Sequence, residues 1–561
     1  PQVPIISSLS EPYYARTWWP CKDHPSDKAD SADINVTCPS NLIDASNGML
    51  RAVIDNGDGT KTYKWHESYP IATYLISVAM TNYTIFSDYY HYSPTDSMEV
   101  RYFVYPEYYD QAVEGYTVTV PAIEIYSQLF GQYPFIREKY GMAHFPWGGG
   151  MEHQTCTSML YYWYDAYAIV HELSHQWWGD YITCGSWHDI WLNEGFATYC
   201  EALYFEHMYG TSYYHSYMNS LEQYARGSGT IWVQDTTDVN AIFSDLQYDK
   251  AGWVLHMLRH VVGDSAFFRS LRAYYSDPRF AYGTALTADF EGVCETVSGM
   301  DLSWFFQEWI YGTYRPNYQV SWMYENLGGT YRVYLHLDQV QTTPPLVFTM
   351  PVDVTISTAS GDTTVVVSNN QRNQDFMINV HSQPTALVID KDVWILKNSS
   401  NISYGLNIVS TSLPDGISNS SYFDTLVAKG GTAPYRWSVS SGTLPVHLTL
   451  DSISGIIYGV PVDTGTFSFT VQVKDYSPIQ KSDTQVLTLK VNQGPTFMRG
   501  DANNDGKVTV SDVVYMISYL YKGGPAPSPL GKADANCDGN VNVADVIYLI
   551  NYLFKGGPLP C

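Results

Sequence analysis

Four residues in the first half of the chain have the types and spacing of a hydrolytic zinc centre. His171 and His175 are four positions apart, so on a helix both imidazoles lie on one face. Glu194 follows His175 after 18 intervening residues, which is enough for a turn and a second helix that returns a carboxylate. Two imidazoles and one carboxylate suit a tetrahedral zinc ion with one position open for water. Glu172 is the expected general base for that water, so the pattern predicts a zinc hydrolase.

The elements that position these residues can be predicted from hydrophobic periodicity. Helical patterns cover residues 165–178, which carry both histidines, and 190–208, which carry Glu194. The whole stretch 89–318 has a mainly helical pattern. Residues 1–88 instead contain short alternating runs typical of strands, with an Asp-Asn-Gly-Asp-Gly turn at 55–59.

The second half of the chain is predicted to be largely β-structure. Alternating runs separated by turns indicate a small β-sandwich at 319–397, followed by a polar linker at 398–402. Residues 403–493 are again all β, and segments such as Gly-Gly-Thr-Ala-Pro-Tyr-Arg-Trp-Ser-Val resemble bacterial immunoglobulin-like repeats of extracellular proteins. Such modules are usually spacers. The fold class is therefore multidomain α+β.

Length and charge limit the classes of protein that this chain can represent. A chain of 561 residues is too long for one core and suggests three to five domains. Its net charge of −26 argues against nucleic acid or an anionic membrane as a partner, because both would be repelled. No apolar run is long enough for a transmembrane helix, and the first residues lack the features of a signal peptide. We expect a secreted or cell-surface protein whose signal peptide has been removed.

The last 65 residues, 497–561, contain a twelve-residue motif twice, at an offset of 33. In each copy, oxygen-bearing residues occupy positions 1, 3, 5, 9 and 12, position 7 offers its main-chain carbonyl, and glycine stands at position 6, as in a calcium loop. Aspartate at position 12 and the lack of an entering helix make the segment resemble a type I dockerin. Two calcium ions are predicted, with these ligands: Asp501, Asn503, Asp505, Lys507, Thr509, Asp512, Asp534, Asn536, Asp538, Asn540, Asn542 and Asp545.

Several other segments resemble the aminopeptidase N-like zinc metallopeptidases. They are 10–29, Gly-Gly-Met-Glu-His at 149–153, Tyr-Asp-Lys-Ala-Gly at 248–252, and the Trp-Phe-Phe-Gln-Glu-Trp-Ile segment that begins at Trp304. The resemblance implies a thermolysin-like catalytic domain at 89–318 and a third-domain β-sandwich after it. It also implies that the chain begins partway through the N-terminal β-domain, leaving a sheet edge that needs a cover. The large helical fourth domain of some members has no counterpart, which suggests a more open cleft.

The same resemblance implies roles for five further residues. Tyr248 matches the catalytic tyrosine that stabilises charge on the substrate oxygen. Glu152 and Glu11 match carboxylates that bind the free α-ammonium group of a peptide. Gly149 and Gly150 leave the backbone bare, so that a peptide can pair with it as an added strand. The family usually has Asn where this chain has His153, a departure that predicts looser positioning of that strand.

Three functions compete on the sequence alone. The first is an aminopeptidase acting on peptides, with a calcium-binding module for docking or stabilisation. The second is a zinc endopeptidase, which would have no use for Glu152 as an amine anchor. The third is a surface or scaffold protein that retains a peptidase fold. Expected partners are a cohesin-type protein, or another chain that covers the open N-terminal sheet. Loop positions 10 and 11, Val510-Ser511 and Val543-Ala544, are more apolar than is common in dockerins.

The eight cysteines permit disulfides in an extracellular setting but form no Cys-x-x-Cys zinc pair. Cys537 with Cys561 is the favoured pair, because both lie in the small C-terminal module. Cys156 with Cys184 is a second prediction, since both flank the zinc motif.

Overall fold

The computed structural model describes residues 3–398, 400–404, 406–430, 434–476, 481–494 and 497–560, with 401–404 described by their backbone alone. The chain forms two compact units, Pro1–Ser403 and Tyr404–Cys561. In the described part of the chain, no helix combines the length and the apolar character that crossing a bilayer requires.

The first unit begins with small antiparallel sheets, ordered β3-β6-β5, β1-β8-β4 and β2-β7. The predicted turn joins β5 to β6, and both Gly57 and Gly59 have a positive φ. β5 is an edge strand whose residues 51–55 are all exposed. The strands are β1 (Ile6–Ser7), β2 (Lys28–Ala29), β3 (Ala32–Pro39), β4 (Ile43–Ser46), β5 (Met49–Asp55), β6 (Thr60–Glu67), β7 (Ile71–Ala72) and β8 (Val78–Thr81).

A five-stranded sheet, ordered β12-β13-β11-β10-β9, precedes most of the helices. It adds strands to the stretch that the sequence pattern predicted to be mainly helical. β11 is buried along its whole length, so its residues form an apolar run without alternation, which periodicity cannot distinguish from a buried helix. The strands of this region are β9 (Thr84–His91), β10 (Ser97–Val104), β11 (Tyr140–Phe145), β12 (Gly150–Met151), β13 (Cys156–Leu160), β14 (Thr183–Cys184) and β15 (Thr284–Ala285).

The helices pack around α4, whose residues from Trp191 to Phe205 are all buried. A helix that is buried on every side lies inside the core, and α4 takes Glu194 and Glu201 into it. The zinc helix α3 is shorter than predicted: it ends at Ser174 with His175 as its C-cap, because the chain tightens there and turns at Gly179, which has φ +142°. The helices are α1 (Tyr109–Gly115), α2 (Thr119–Leu129), α3 (Ala166–Ser174), α4 (Trp191–Tyr209), α5 (Thr211–Ala225), α6 (Val239–Ile242), α7 (Ala251–Val262), α8 (Asp264–Ser276), α9 (Thr287–Ser298) and α10 (Ser303–Trp309), with a π-helical turn at Leu246–Lys250.

Two sheets, ordered β20-β17-β16-β22 and β19-β18-β21, follow the helices. They share one hydrophobic core with the helical region, and the Trp394 ring stacks on those of His256 and His260. The linker prediction is wrong in part, because β22 covers 401–402; residue 399 lies outside the described residues. The strands are β16 (Tyr318–Asn326), β17 (Tyr331–Gln339), β18 (Met350–Thr358), β19 (Gly361–Asn369), β20 (Asn373–Val380), β21 (Pro384–Ile389) and β22 (Asn401–Tyr404).

The second unit begins with sheets ordered β24-β31-β30-β27, β25-β29-β28 and β23-β26. Trp437, Ile457 and Leu489 belong to their common core. The strands are β23 (Asn407–Ile408), β24 (Gly416–Ile417), β25 (Tyr422–Thr425), β26 (Ala428–Lys429), β27 (Arg436–Gly442), β28 (Leu448–Leu450), β29 (Ile456–Gly459), β30 (Gly465–Lys474) and β31 (Ser482–Asn492). Two helices, α11 (Val510–Lys522) and α12 (Val543–Lys555), follow the repeated loops and pack on each other through Val513, Met516, Val546 and Leu549.

One of the two disulfide predictions, Cys156 with Cys184, is wrong. Cys156 and Cys184 are buried free thiols, and they belong to different hydrophobic clusters of the first unit. Cys537 is disulfide-bonded. Its predicted partner, Cys561, lies outside the described residues.

Candidate active site

Helices α3 and α4 bring the predicted zinc ligands together. One oxygen of Glu194, Oε2, lies 3.4 Å from Nε2 of His171 and 3.4 Å from Nε2 of His175. One ligand atom from each of the three residues falls within 4.8 Å of the others. All three side chains are largely buried, with exposed fractions of 14% for His171, 2% for His175 and 4% for Glu194.

Hydrogen bonds to the other ring nitrogens orient both imidazoles for a metal. Nδ1 of His171 lies 2.8 Å from Oε1 of Glu201, and Nδ1 of His175 lies 3.1 Å from the carbonyl oxygen of Trp178. Because both partners accept, each Nδ1 donates, which leaves Nε2 of a neutral ring with a free lone pair. Tyr217 donates its hydroxyl to Glu201 in turn. This arrangement of carboxylate, histidine and metal position is the usual support of a zinc site.

The charges around the triad also fit a cation. Burial alone would lower the pKa of His175, but the carboxylates of Glu152 and Glu194 raise it to about 9. Burial would raise the pKa of Glu194, yet the two imidazoles hold it at about 2. Both shifts show a site that stabilises positive charge next to an ionised carboxylate. The donor set therefore fits zinc.

Glu172 faces the cleft next to the edge strand β12. Burial raises the pKa of Glu172 to about 8. A Cβ placed on Gly150 would lie 2.2 Å from Oε1 of Glu172, so a side chain here would displace this carboxylate. Gly149 has φ +129°, a conformation that favours glycine. The two glycines thus allow the strand backbone to pass directly beside the predicted base.

Glu11 and Glu152 lie next to the triad. Ligand atoms of Glu11, Glu152 and Glu194 fall within 4.8 Å of one another. Among the described residues, nothing donates a hydrogen bond to the buried Oε1 atoms of Glu11 and Glu152. Burial, and then the charge of Glu152, raise the pKa of Glu11 well above its usual value. Two buried, unsatisfied carboxylate oxygens are costly unless a cationic ligand completes them.

Tyr248 lies in the π-helical turn Leu246–Lys250, and its ring stacks on that of His171 with centroids 6.1 Å apart. π-turns inside helices are frequent at functional sites. Burial, followed by the charges of the surrounding glutamates, raises the pKa of Tyr248 well above its usual value. Its hydroxyl therefore stays protonated and able to donate.

His153, the departure from the family pattern, is fully buried. Its Nδ1 lies 2.9 Å from Oγ of Ser158, which ties the turn after β12 to β13. Burial lowers the pKa of His153 to about 3, so the ring is neutral. All of the predicted active-site residues line or border one cleft of about 690 Å³.

The repeated loops place their predicted ligands around backbone N–H groups. Asp501 accepts from the amides of Asp505 and Gly506, and Asp534 accepts from those of Asp538 and Gly539. The position-12 residues, Asp512 and Asp545, accept from Asn503 and Asn536 and from the helix N-caps Thr509 and Asn542. Lys507 and Asn540 are exposed. Within the described residues, three acidic or imidazole ligand atoms approach within 4.8 Å only at the active site, so the loop carboxylates are spread more widely than the zinc ligands.

Sequence reasoning missed three residues that support these sites. Glu201 lies seven positions after Glu194, two turns along the same helix face, a spacing that could have identified it. In the repeated loops, Lys532 contacts Asp501 at 3.0 Å, while Arg499 contacts Asp534 at 2.6 Å. Each basic residue precedes its own loop by two positions and pairs with the first aspartate of the other loop.

Family models match four segments of the chain. They are the peptidase M1 N-terminal domain at 2–75, the peptidase family M1 domain at 118–309, a putative Ig domain at 403–492 and the dockerin type I domain at 499–554. Over these segments the chain is similar to the peptidase M1, Ig-like and dockerin domains, and the matches confirm the resemblance seen in the sequence.

Individual relatives agree with this assignment. The chain is 28% identical to aminopeptidase M1-B of Oryza sativa subsp. japonica over 354 residues, covering 58% of this chain and 38% of that protein. It is 35% identical to aminopeptidase N of Streptomyces lividans over 156 residues, covering 26% and 18%. Legionella pneumophila aminopeptidase A, solved in complex with aspartic acid, shares the fold, with a TM-score of 0.62 and 16% identity over 71% of this chain and 48% of that one. The chain thus spans less than half the length of these relatives.

Proposed function

We propose that this protein is a zinc-dependent aminopeptidase that removes N-terminal residues from peptides. A zinc ion held by His171, His175 and Glu194 would supply a Lewis acid that polarises the scissile carbonyl and lowers the pKa of water. Glu201 and the carbonyl of Trp178 keep the two imidazoles in the required tautomer. Glu194 remains ionised and so balances part of the charge of the metal.

Glu172 moves the proton in this scheme. A carboxylate with a pKa near neutrality can accept a proton from the attacking water and return it to the leaving amine. Tyr248 donates its hydroxyl to the oxygen on which negative charge develops. Gly149 and Gly150 leave the backbone at the start of β12 without side chains, so that the peptide backbone can pair with this edge strand beside Glu172.

The observation that carries the proposal is the pair of unsatisfied carboxylates at Glu11 and Glu152. An α-ammonium group placed between them would satisfy both buried oxygens and would fix the distance from the terminus to the scissile bond. A zinc endopeptidase has no use for such an anchor, and a scaffold protein has no use for an oriented triad. Both alternatives are therefore weaker than the aminopeptidase.

Replacing Glu152 by Gln tests the proposal directly. The change keeps the shape of the side chain but removes its charge, so we expect kcat/KM for free-amine aminoacyl substrates to fall about 100-fold. Glu124→Gln, on the exposed face of α2, is the matched control and should leave kcat/KM unchanged. If N-acetylated peptides are cleaved as well as free ones by the unmodified enzyme, the protein is an endopeptidase.

The C-terminal module is proposed to bind two calcium ions and to dock a cohesin-type partner outside the cell. The loop ligands are those predicted from the repeat, and the backbone amides that orient Asp501 and Asp534 support this assignment. Position 10 of each loop, Val510 or Val543, is exposed at the start of its helix. Isothermal titration of the full chain with calcium, and then with cohesins, tests both parts.

A further inference from the structure

The active-site cleft contains an acidic residue that the proposed mechanism does not use. Six carboxylate side chains line the cleft, whereas Lys and Arg are absent from its described lining. Five of these carboxylates bind metal, move a proton, orient His171 or face the substrate amine. The sixth is Asp165, whose side chain is exposed at the mouth of the cleft.

Asp165 is held by the helix that carries the zinc ligands. It is the N-cap of α3, and its Oδ1 accepts a hydrogen bond of 3.0 Å from the amide of Ala168. This bond fixes the carboxylate at the rim and leaves its other oxygen free of the cap. An aspartate at this position therefore presents a negative charge from a rigid element.

Three aromatic side chains surround the same rim. Trp163 and Tyr167 flank Asp165 in the sequence, and Trp147 comes from the loop before β12; all three line the cleft. Their exposed fractions are 37%, 38% and 51%, so all three rings can be reached by a ligand at the rim. Tyr167 is held in place by a hydrogen bond to Tyr213 and by stacking on Tyr217.

The position of Asp165 along α3 places it on the far side of the triad from the amine anchor. Asp165 precedes His171 by six residues, or about 9 Å at the helical rise of ~1.5 Å per residue. Glu152 groups instead with His175, at the other end of the helix. A peptide whose amine lies at Glu152 and whose scissile carbonyl lies at the triad therefore extends its leaving portion toward Asp165.

We propose that Asp165, together with Trp163, Tyr167 and Trp147, binds the basic side chain of the residue that follows the scissile bond. The inference rests on the aminopeptidase function proposed above and names its substrate class: peptides with Arg or Lys at the second position. A guanidinium group pairs with carboxylates and also stacks on aromatic faces. A neutral side chain gains only the stacking contact, and an acidic one is repelled by Asp165.

Peptide amides with the same first residue provide the test, because they vary only the second residue and carry no terminal carboxylate. We expect kcat/KM for Ala-Arg-amide to exceed that for Ala-Leu-amide about fivefold, with Ala-Glu-amide slowest. The ratio of Arg to Leu should fall toward one between low and high salt, because exposed charges are screened.

Asp165→Asn separates the charge from the helix cap. Asparagine caps a helix as well as aspartate does, so α3 keeps its start while the rim loses its charge. We expect the Arg-to-Leu ratio to fall about fivefold in this variant. Asp301→Asn is the matched control, since Asp301 is also an exposed acceptor of a backbone amide, from Ser303, at the start of a helix. The Arg-to-Leu ratio of the Asp301→Asn variant should match that of the unmodified enzyme.

Two results would overturn the inference while leaving the aminopeptidase intact. One is an unchanged Arg-to-Leu ratio in Asp165→Asn. The other is a preference for Leu over Arg in the unmodified enzyme, which would show that the rim selects apolar side chains. A zinc-loaded protein that cleaves none of the three peptides would instead overturn the proposed function, and the inference with it.

Discussion

The proposed zinc centre and the proposed calcium loops position their ligands in opposite ways. The zinc ligands come from two helices, and residues on α4, α5 and the turn after α3 support them. Each calcium loop instead draws all of its ligands from twelve consecutive residues. Its aspartates are oriented mainly by backbone amides of the same loop. The ligands of the first site are brought together by tertiary packing, whereas the ligands of each calcium loop come from one short segment of the chain.

The pKa values of Glu172 in the cleft and of Asp501 in the calcium loops are shifted in opposite directions, because different contacts dominate at the two positions. In the cleft, burial raises the pKa of Glu172 to about 8. In the loops, burial would also raise the pKa of Asp501, but Lys532 and two backbone amides outweigh it and lower the value. The backbone amide of Asn540, with side-chain hydrogen bonds from Asn536 and Asn540, likewise lowers the pKa of Asp538. Glu172, which burial favours in its protonated form, can hold a proton for chemistry, whereas Asp501, which accepts from N–H groups, remains charged for a hard cation.

The largest effect that this comparison predicts is at Glu172. Glu172→Gln removes the proton carrier but leaves all three ligands, so kcat should fall by about 10³-fold at unchanged zinc content. Metal analysis and an aminoacyl chromophore assay check the two halves of the prediction. Normal turnover by a zinc-loaded Glu172→Gln protein would show that another group moves the proton.

Selective removal of each metal tests the contrast between the two sites. A calcium-specific chelator should speed hydrogen exchange in α11 and α12 about 100-fold, because ligand at 100 times its Kd stabilises a fold by about 2.7 kcal/mol. Exchange in α3 and α4 should not change. A zinc-specific chelator should abolish hydrolysis and leave exchange in α11 and α12 as it was. Equal protection of α11 and α12 with and without calcium would show that the loops do not depend on the ion.

Sequence reasoning predicts both metal sites because the proposed ligands follow regular spacings, one helical and one of a loop, and the structure brings the three proposed zinc ligands together. It missed what the tertiary fold assembles. The aromatic rim joins residues from the loop before β12 and from the start of α3, which no spacing relates. The pairing of Cys156 with Cys184 failed because proximity in sequence to the zinc motif does not imply contact: the two thiols lie in different clusters.

A hydrogen bond that orients a zinc ligand from outside α3 can be weakened without replacing the ligand itself. Glu201→Gln keeps the size of the side chain but replaces the carboxylate that accepts from His171. We expect zinc affinity to fall about 10- to 100-fold, as for other supporting carboxylates. Competition with a chromophoric chelator measures the change, with Glu124→Gln as the control. Unchanged affinity would mean that packing alone orients His171.

The smallest predicted effect concerns Thr509, which supports the first calcium loop as Glu201 supports the zinc ligands. Thr509 caps α11: its hydroxyl accepts from the amide of Ser511, and its own amide donates to Asp512. Thr509→Ala removes the hydroxyl but keeps both backbone groups, so it should destabilise the module by about 1 kcal/mol. Because the same residue belongs to the first calcium loop, the loss should appear as a weaker calcium dependence of exchange in α11. Exchange in α3 and hydrolysis should not change, since the supports of the zinc centre lie within the first unit. A loss of peptidase activity in Thr509→Ala would show that the two sites are not independent and would remove the basis of the comparison.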